Sequence, residues 1–152
     1  MTEMAALREL LHELGSWLYV VLTNKFVVLA VGGAAGTNAR YWLGRWVGEI
    51  YGARGFPLGT FIINVTGSFI LGMAAVLILE RLPPVYQDWY LLVGTGFCGG
   101  FTTFSTFEWE TFQLLRNGSL WMAFANVAGS VIVGFLGVVV AVALTGLILP
   151  RQ

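Results

Sequence analysis

The stretch Gly94-Thr95-Gly96-Phe97-Cys98-Gly99-Gly100-Phe101-Thr102-Thr103-Phe104-Ser105-Thr106-Phe107 decides how this chain is read. It follows the apolar run Trp89 to Val93 and stays inside a hydrophobic segment, yet it carries four glycines and then hydroxyls alternating with phenylalanines. Glycine costs about 1 kcal/mol relative to alanine in a helix interior. Gly99-Gly100 followed by β-branched Thr102-Thr103 therefore predicts a break in an otherwise continuous helix. Within a bilayer, broken backbone is tolerated only where protein or a wet cavity satisfies the freed N–H and C=O groups. The break is a candidate ion site, and the Phe/hydroxyl run after it a candidate pathway.

Composition supports the membrane setting. Of 152 residues, 57% are hydrophobic and only 11% charged, with a mean hydropathy of +0.79; soluble domains carry about 25% charged residues. A net charge of zero argues against nucleic acid and against a basic membrane-surface binder. Cys98 is the one cysteine, so an intrachain disulfide and a cysteine metal cluster are excluded. The one histidine, His12, lies in a charged N-terminal stretch, which leaves no His–metal or Ser–His constellation. The first apolar stretch is interrupted by charges and has no small-residue cleavage pattern, so no cleavable signal is expected.

The chain divides into an N-terminal amphipathic extension, 1–24, and a four-helix membrane domain, 25–152. In the extension, Leu7, Leu10, Leu11, Leu14, Leu18 and Val21 share one helical face opposite Arg8, Glu9, His12 and Glu13. An interfacial helix anchored by Trp17 and Tyr19 is the expectation, with a partner-docking helix as the alternative. Four apolar segments follow, Phe26–Ile50, Leu58–Leu79, Tyr86–Leu115 and Leu120–Leu149, each able to supply the roughly 20 residues of a span. Short turn-rich or proline-rich connections separate them. The fold class is all-α, with four transmembrane helices and the third one broken.

Positive charge gives little orientation bias. Arg8, Lys25, Arg81 and Arg151 fall on one side, Arg54 and Arg116 on the other, with Arg45 near that second end. A bias this weak by the positive-inside rule predicts insertion in both orientations and an antiparallel dual-topology homodimer, the two-chain counterpart of an inverted repeat. A single weakly set topology is the alternative. Small residues one turn apart, Gly32 and Gly36, Gly96 and Gly100, Ser130 and Gly134, suit close helix packing.

Several motifs carry no chemistry. Gly94-x-Gly96-x-x-Gly99 lies within a span and lacks the acidic residue about 20 positions later that a dinucleotide site needs. Asn64-Val65-Thr66 and Asn117-Gly118-Ser119 match glycosylation sequons, the first inside a helix and the second in an ordinary turn. Arg40 either snorkels or supplies a fixed positive charge at a vestibule. Asn64, Ser105, Thr106, Asn126 and Ser130 form a string of donors; interhelical bonding is the plainer role, especially for Ser130. Phe104 and Phe107 share a helical face, as packing or as rings whose positive edges touch an anion. Ser105-x-x-Glu108 matches a capping box for a restarting helix, and Glu110 could serve proton coupling.

Taken together, three motifs closely resemble the Fluc (CrcB) fluoride channels. They are Gly32-Gly33-Ala34-Ala35-Gly36-Thr37-Asn38-Ala39-Arg40-Tyr41, then Gly59-Thr60-Phe61-Ile62-Ile63-Asn64-Val65-Thr66-Gly67-Ser68, then Gly96 to Phe107. The resemblance covers about Lys25 to Gly146. It implies a passive fluoride channel that relieves fluoride toxicity, in the cell (inner or plasma) membrane. It further implies a four-helix subunit, two antiparallel pores and a structural sodium at the dimer centre. By motif position, Asn64 resembles the family's pore asparagine, and Phe104 and Phe107 its aromatic pair. Ser105 and Thr106 resemble part of its polar track. Gly99 and Thr102 resemble the positions whose backbone carbonyls hold sodium, and Arg40 resembles the arginine near the first-helix motif. Asn126, Ser130 and Gly134 match the fourth helix's polar spacing, although Asn126 stands where many members carry tyrosine. Glu108, in place of a small hydroxyl residue, and the N-terminal extension are also departures. A small cation-drug antiporter would need a carboxylate in its first span, where this chain has Arg40. A pure scaffold would not need the interior hydroxyls. No catalytic constellation is visible, and no enzyme is expected.

Overall fold

The computed structural model describes residues 3–52 and 55–148, and nearly all of them are helical, with no strand among them. Arg54 and Arg151, part of the charge comparison, lie outside the described residues, as do the side chain of Val21 and the last residue of the predicted fourth segment. Helix α1 (Glu3–Thr23) is followed by α2 (Lys25–Tyr51). Asn24 starts α2, its Oδ1 accepting from the Phe26 N–H at 3.0 Å. The stretches Ala6–Val20 and Lys25–Tyr51 meet at 74°. On α1, Leu7, Leu10, Leu11, Leu14 and Leu18 are all exposed.

Helix α3 (Leu58–Arg81) widens over its last seven residues, Ala75–Arg81, where Leu82 N–H reaches back to Leu77 O at 3.1 Å. Pro83 and Pro84, which cannot continue the helix, then lead through one tight turn into α4, residues 88–101. Its middle, Leu91–Cys98, is also widely wound. Helix α5 (Phe104–Arg116) leads through Gly118, at φ 76°, into α6 (Leu120–Ile148).

Among the described residues, α3 and α6 are long and apolar enough to cross a membrane, and α1–α2 would be a third span if the bent pair counts as one. Helix α2 is long enough but carries Lys25, Arg40, Arg45 and Glu49. Helices α4 and α5 are each too short by themselves, because the interruption divides the third apolar segment.

That interruption differs in place from the sequence expectation. Gly99 and Gly100 remain helical, within Gly99–Phe101. The chain leaves the helix at Thr102 (φ −77°, ψ 160°) and Thr103 (φ −150°, ψ 118°). Gly96 and Gly100 serve packing instead: Gly96 stands with Gly32 at 3.0 Å from an added Cβ, and a Cβ on Gly100 would collide with Gly33 O, whereas Gly99 faces open space. A Cβ on Gly36 would likewise strike Phe97 O and Phe101 N. Helices α2 and α4 thus meet backbone to backbone, and tertiary contact overrides the intrinsic cost of glycine. The cap also differs. Thr103 is the N-cap of α5, its hydroxyl oxygen accepting from Thr106 N–H at 3.3 Å, so Ser105 and Glu108 do not form the predicted box.

Helix α3 packs along α6 by the same small-residue logic. A Cβ on Gly72 would stand 3.2 Å from Val138, and one on Gly137 3.3 Å from Val65 O. Val47, Ile63, Phe101, Ala123 and Ala141 are among the buried core residues.

Candidate functional site

Two extended residues between two helices expose backbone groups that a continuous helix would pair. Thr102 turns both its N–H and its hydroxyl to Cys98 O, each at 2.9 Å. Thr103 is clasped by a side chain from α3. Asn64 Nδ2 donates to Thr103 O at 3.0 Å, and Asn64 Oδ1 accepts from Thr103 N–H at 2.8 Å. The amide copies a backbone ladder pair, which satisfies a residue that is only 9% exposed. It also takes the N–H that a continuous helix would give to Gly99 O.

Arg40, from α2, reaches the same place. Its Nη1 lies 3.3 Å from Thr102 O, half-buried. The carbonyl end of α4 carries partial negative charge, and the guanidinium complements it. On the other side of the interruption, the first turn of α5 presents N–H groups that have no intrahelical acceptor. The Thr103 hydroxyl donates to Thr106 Oγ1 at 2.9 Å.

A cleft opens on each side of this crossing. One, of about 450 Å³, is lined by Arg40, Thr60, Thr103, Thr106 and Glu110. There the Glu110 carboxylate faces Thr60, while its Oε2 is buried without a hydrogen-bond partner. The other, of about 470 Å³, is lined by Asn64, Ser68, Thr95, Gly99, Thr102 and Phe104. Thr103 borders both clefts.

The predicted residues distribute unevenly around them. Arg40, Asn64, Thr102 and Thr106 gather at the crossing, and Gly99 and Phe104 border the second cleft. Phe104 is 71% exposed, and its ring centre lies 5.8 Å from that of half-buried Phe107, tilted by 39°. Ser105, Phe107, Asn126 and Ser130 line neither cleft. Asn126 is 1% exposed. Its Nδ2 donates to Thr111 Oγ1 at 2.8 Å, and that hydroxyl donates to Phe107 O at 2.8 Å, a relay that joins α6 to α5. Ser130 Oγ and Gln113 Oε1 are buried without partners.

Sequence reasoning placed Thr103 at the break and Thr60 in a motif without giving either a site role, and it passed over Thr111. The Thr103-x-x-Thr106 spacing is a hydroxyl N-cap signal that could have found the first. The other two act through partners distant in sequence and had no local signal.

The family described as CrcB-like protein, Camphor Resistance (CrcB), matches residues 27–142. The chain is 47% identical over 114 residues to the fluoride-specific ion channel FluC of Solibacter usitatus, covering 75% of this chain and 92% of that one. It is 41% identical over 118 residues to the protein of the same name from Pyrococcus horikoshii, with coverages of 75% and 93%. For the Chloroflexus aurantiacus protein of that name the identity is 40% over 121 residues, with coverages of 80% and 94%. The family match begins within α2, so α1 lies outside it.

Proposed function

The chain belongs to the CrcB family of fluoride ion channels, and on that premise we propose that it is a passive, fluoride-selective channel that lets fluoride leave the cell. Its relatives are named as channels, and the protein is not an enzyme. The observation that carries the proposal is the Asn64 clasp on Thr103, a residue that borders two clefts lined in part by hydroxyl and amide side chains. Broken backbone of this kind belongs in a bilayer only beside protein or a wet cavity.

In the proposed arrangement α2, α3, the α4–α5 pair and α6 are the four spans of a multi-pass protein of the cell membrane, and α1 lies at its surface. Thr95 and the backbone of Gly99 are exposed at the second cleft beside Phe104, and polar groups facing lipid are costly. A second copy, antiparallel as the weak charge bias favours, would cover them and give the assembly two pores.

The proposed structural sodium has a donor set that suits it. Gly99 O gives up its helical donor to Asn64, Thr102 O loses its own because Thr106 N–H caps Thr103 and keeps only the Arg40 Nη1 contact at 3.3 Å, and a Cβ on Gly99 would meet nothing within 4 Å. Backbone oxygens are the ligands a hard cation takes, and two copies would double the set. Bound there, sodium would supply positive charge near the pathway. Arg40 adds a fixed charge at the first cleft.

An unpaired ion in low dielectric costs tens of kcal/mol, and each charge-assisted hydrogen bond returns about 1.5–3 kcal/mol. Fluoride therefore needs several donors at once. The second N–H of Asn64, the hydroxyls of Ser105 and Thr106, the unpartnered Ser130 and the ring edges of Phe104 and Phe107 are proposed to provide them. Asn126 keeps one N–H beyond that given to Thr111 and extends the track. Chloride, larger and a poorer acceptor, gains less from such a lining, and weak successive contacts permit exit. Efflux from proteoliposomes holding equal fluoride and chloride tests this reading. Rapid loss of fluoride with chloride retained is expected, and equal leakage of both would overturn it.

A further inference from the structure

A third cleft, of about 330 Å³, lies away from the pathway between the start of α2 and the start of α4. Its walls are apolar, with Val28, Val31, Val85 and Trp89 among them, and both Lys25 and Asp88 stand on its lining. These two charges are exposed and do not pair with each other. Neither has a part in the channel chemistry. Asp88 sits in the first turn of its helix without capping it.

The depth of this cleft follows from the chain's course. Helix α2 begins at Lys25, and there the chain turns by 74° from the direction of α1. A spanning helix that starts where its predecessor turns aside starts at headgroup level. With α2 a span, as the channel reading has it, this places one cation and one anion near the membrane–water boundary and the apolar walls toward the hydrocarbon. We propose that this groove is a binding site for a phospholipid whose headgroup carries a primary ammonium, with its phosphate on Lys25, its ammonium on Asp88 and one acyl chain along Val28, Val31 and Trp89.

The charge pattern selects among headgroups. Phosphatidylethanolamine offers both a phosphate and N–H donors. Phosphatidylcholine offers a quaternary ammonium that cannot donate a hydrogen bond, and phosphatidylglycerol has no cation for Asp88. For exposed charges the preference is expected to be about fivefold, the upper end for a solvated ion pair.

The proposal rests on α2 being a span, as in the channel reading, and can be tested separately from it. The full chain, purified with equimolar amounts of the three lipids, is examined by native mass spectrometry. Phosphatidylethanolamine should be retained about fivefold over phosphatidylcholine. Asp88→Asn should abolish that preference, Lys25→Gln should lower retention of all three lipids alike, and Val31→Trp, on an exposed position, should obstruct the acyl chain and release lipid of every kind. Equal retention of the three lipids by the unaltered chain would overturn the proposal. So would an Asp88→Asn chain that keeps its preference, or a groove shielded by a second copy with no lipid retained. Fluoride efflux by Asp88→Asn should match that of the unaltered chain. Selective lipid retention without fluoride flux would sink the channel reading alone.

Discussion

Replacing Asn64 by aspartate perturbs the clasp with almost no change of shape, and its consequences can be worked from two distances. One carboxylate oxygen can still accept from Thr103 N–H, as Oδ1 does at 2.8 Å. The other then stands where Nδ2 was, 3.0 Å from Thr103 O, with an acceptor facing an acceptor. Leaving that carbonyl without its donor costs about 1–3 kcal/mol, and water in the adjoining cleft brings the expected loss of stability to about 2 kcal/mol. Conduction should suffer more. The remaining Asn64 N–H proposed to meet fluoride is also gone, and one charge-assisted bond of about 1.5 kcal/mol or more corresponds to at least a tenfold slower passage. Negative charge beside the route adds to that barrier. Asn64→Leu, which strands both the N–H and the carbonyl of Thr103, should cost about 4 kcal/mol and separates loss of fold from loss of donor. The assay is fluoride efflux from proteoliposomes by ion-selective electrode, with assembly checked by size exclusion and stability by thermal unfolding. Asn64→Asp that assembles normally and conducts at the original rate would refute the reasoning, because neither the clasp nor the donor would then be required.

Phe104→Ile and Phe107→Ile keep bulk and apolarity but remove the ring edge; fluoride flux should fall at least about tenfold, the loss of some 1.5 kcal/mol, with assembly unaffected on the same size-exclusion column. Glu110→Gln retains the shape of the group facing Thr60 in the first cleft, and flux should stay passive, driven by the fluoride gradient alone; proton-driven movement lost in this variant would favour an antiporter. Gly36→Ala forces a methyl onto Phe97 O and Phe101 N, so α2 must shift from α4, with a loss of about 1–3 kcal/mol in thermal unfolding. Thr111→Val removes the hydroxyl that Asn126 Nδ2 reaches at 2.8 Å, stranding a buried amide at a cost of about 1–3 kcal/mol while leaving both cleft linings intact.

The helix boundaries were legible because their causes are local. Apolar length and the proline and glycine connections put α2 at Lys25–Tyr51 against an expected Phe26–Ile50, and α3 at Leu58–Arg81 against Leu58–Leu79. Residue type pointed to Gly99-Gly100 as the place where the helix opens, whereas the chain leaves it at Thr102 and Thr103. Gly99 and Gly100 carry the strongest local signal against helix, yet a helix cost near 1 kcal/mol yields when a glycine lets two backbones touch, as Gly100 does against Gly33. What opens the chain at Thr103 comes from Asn64, 39 residues earlier, and no window of sequence contains both partners. The same separation hid Asn126. Read as one more donor in a polar string, it is drawn to Thr111 across 15 residues and 1% exposed. Residue type thus identified which groups could face an ion, while the pairing that spends some of them on holding the backbone open depends on contacts only the folded chain brings about. The two uses are linked at Asn64, since an amide has two N–H groups and the clasp consumes one. A side chain there with a single donor could hold Thr103 or meet fluoride, but not both at once.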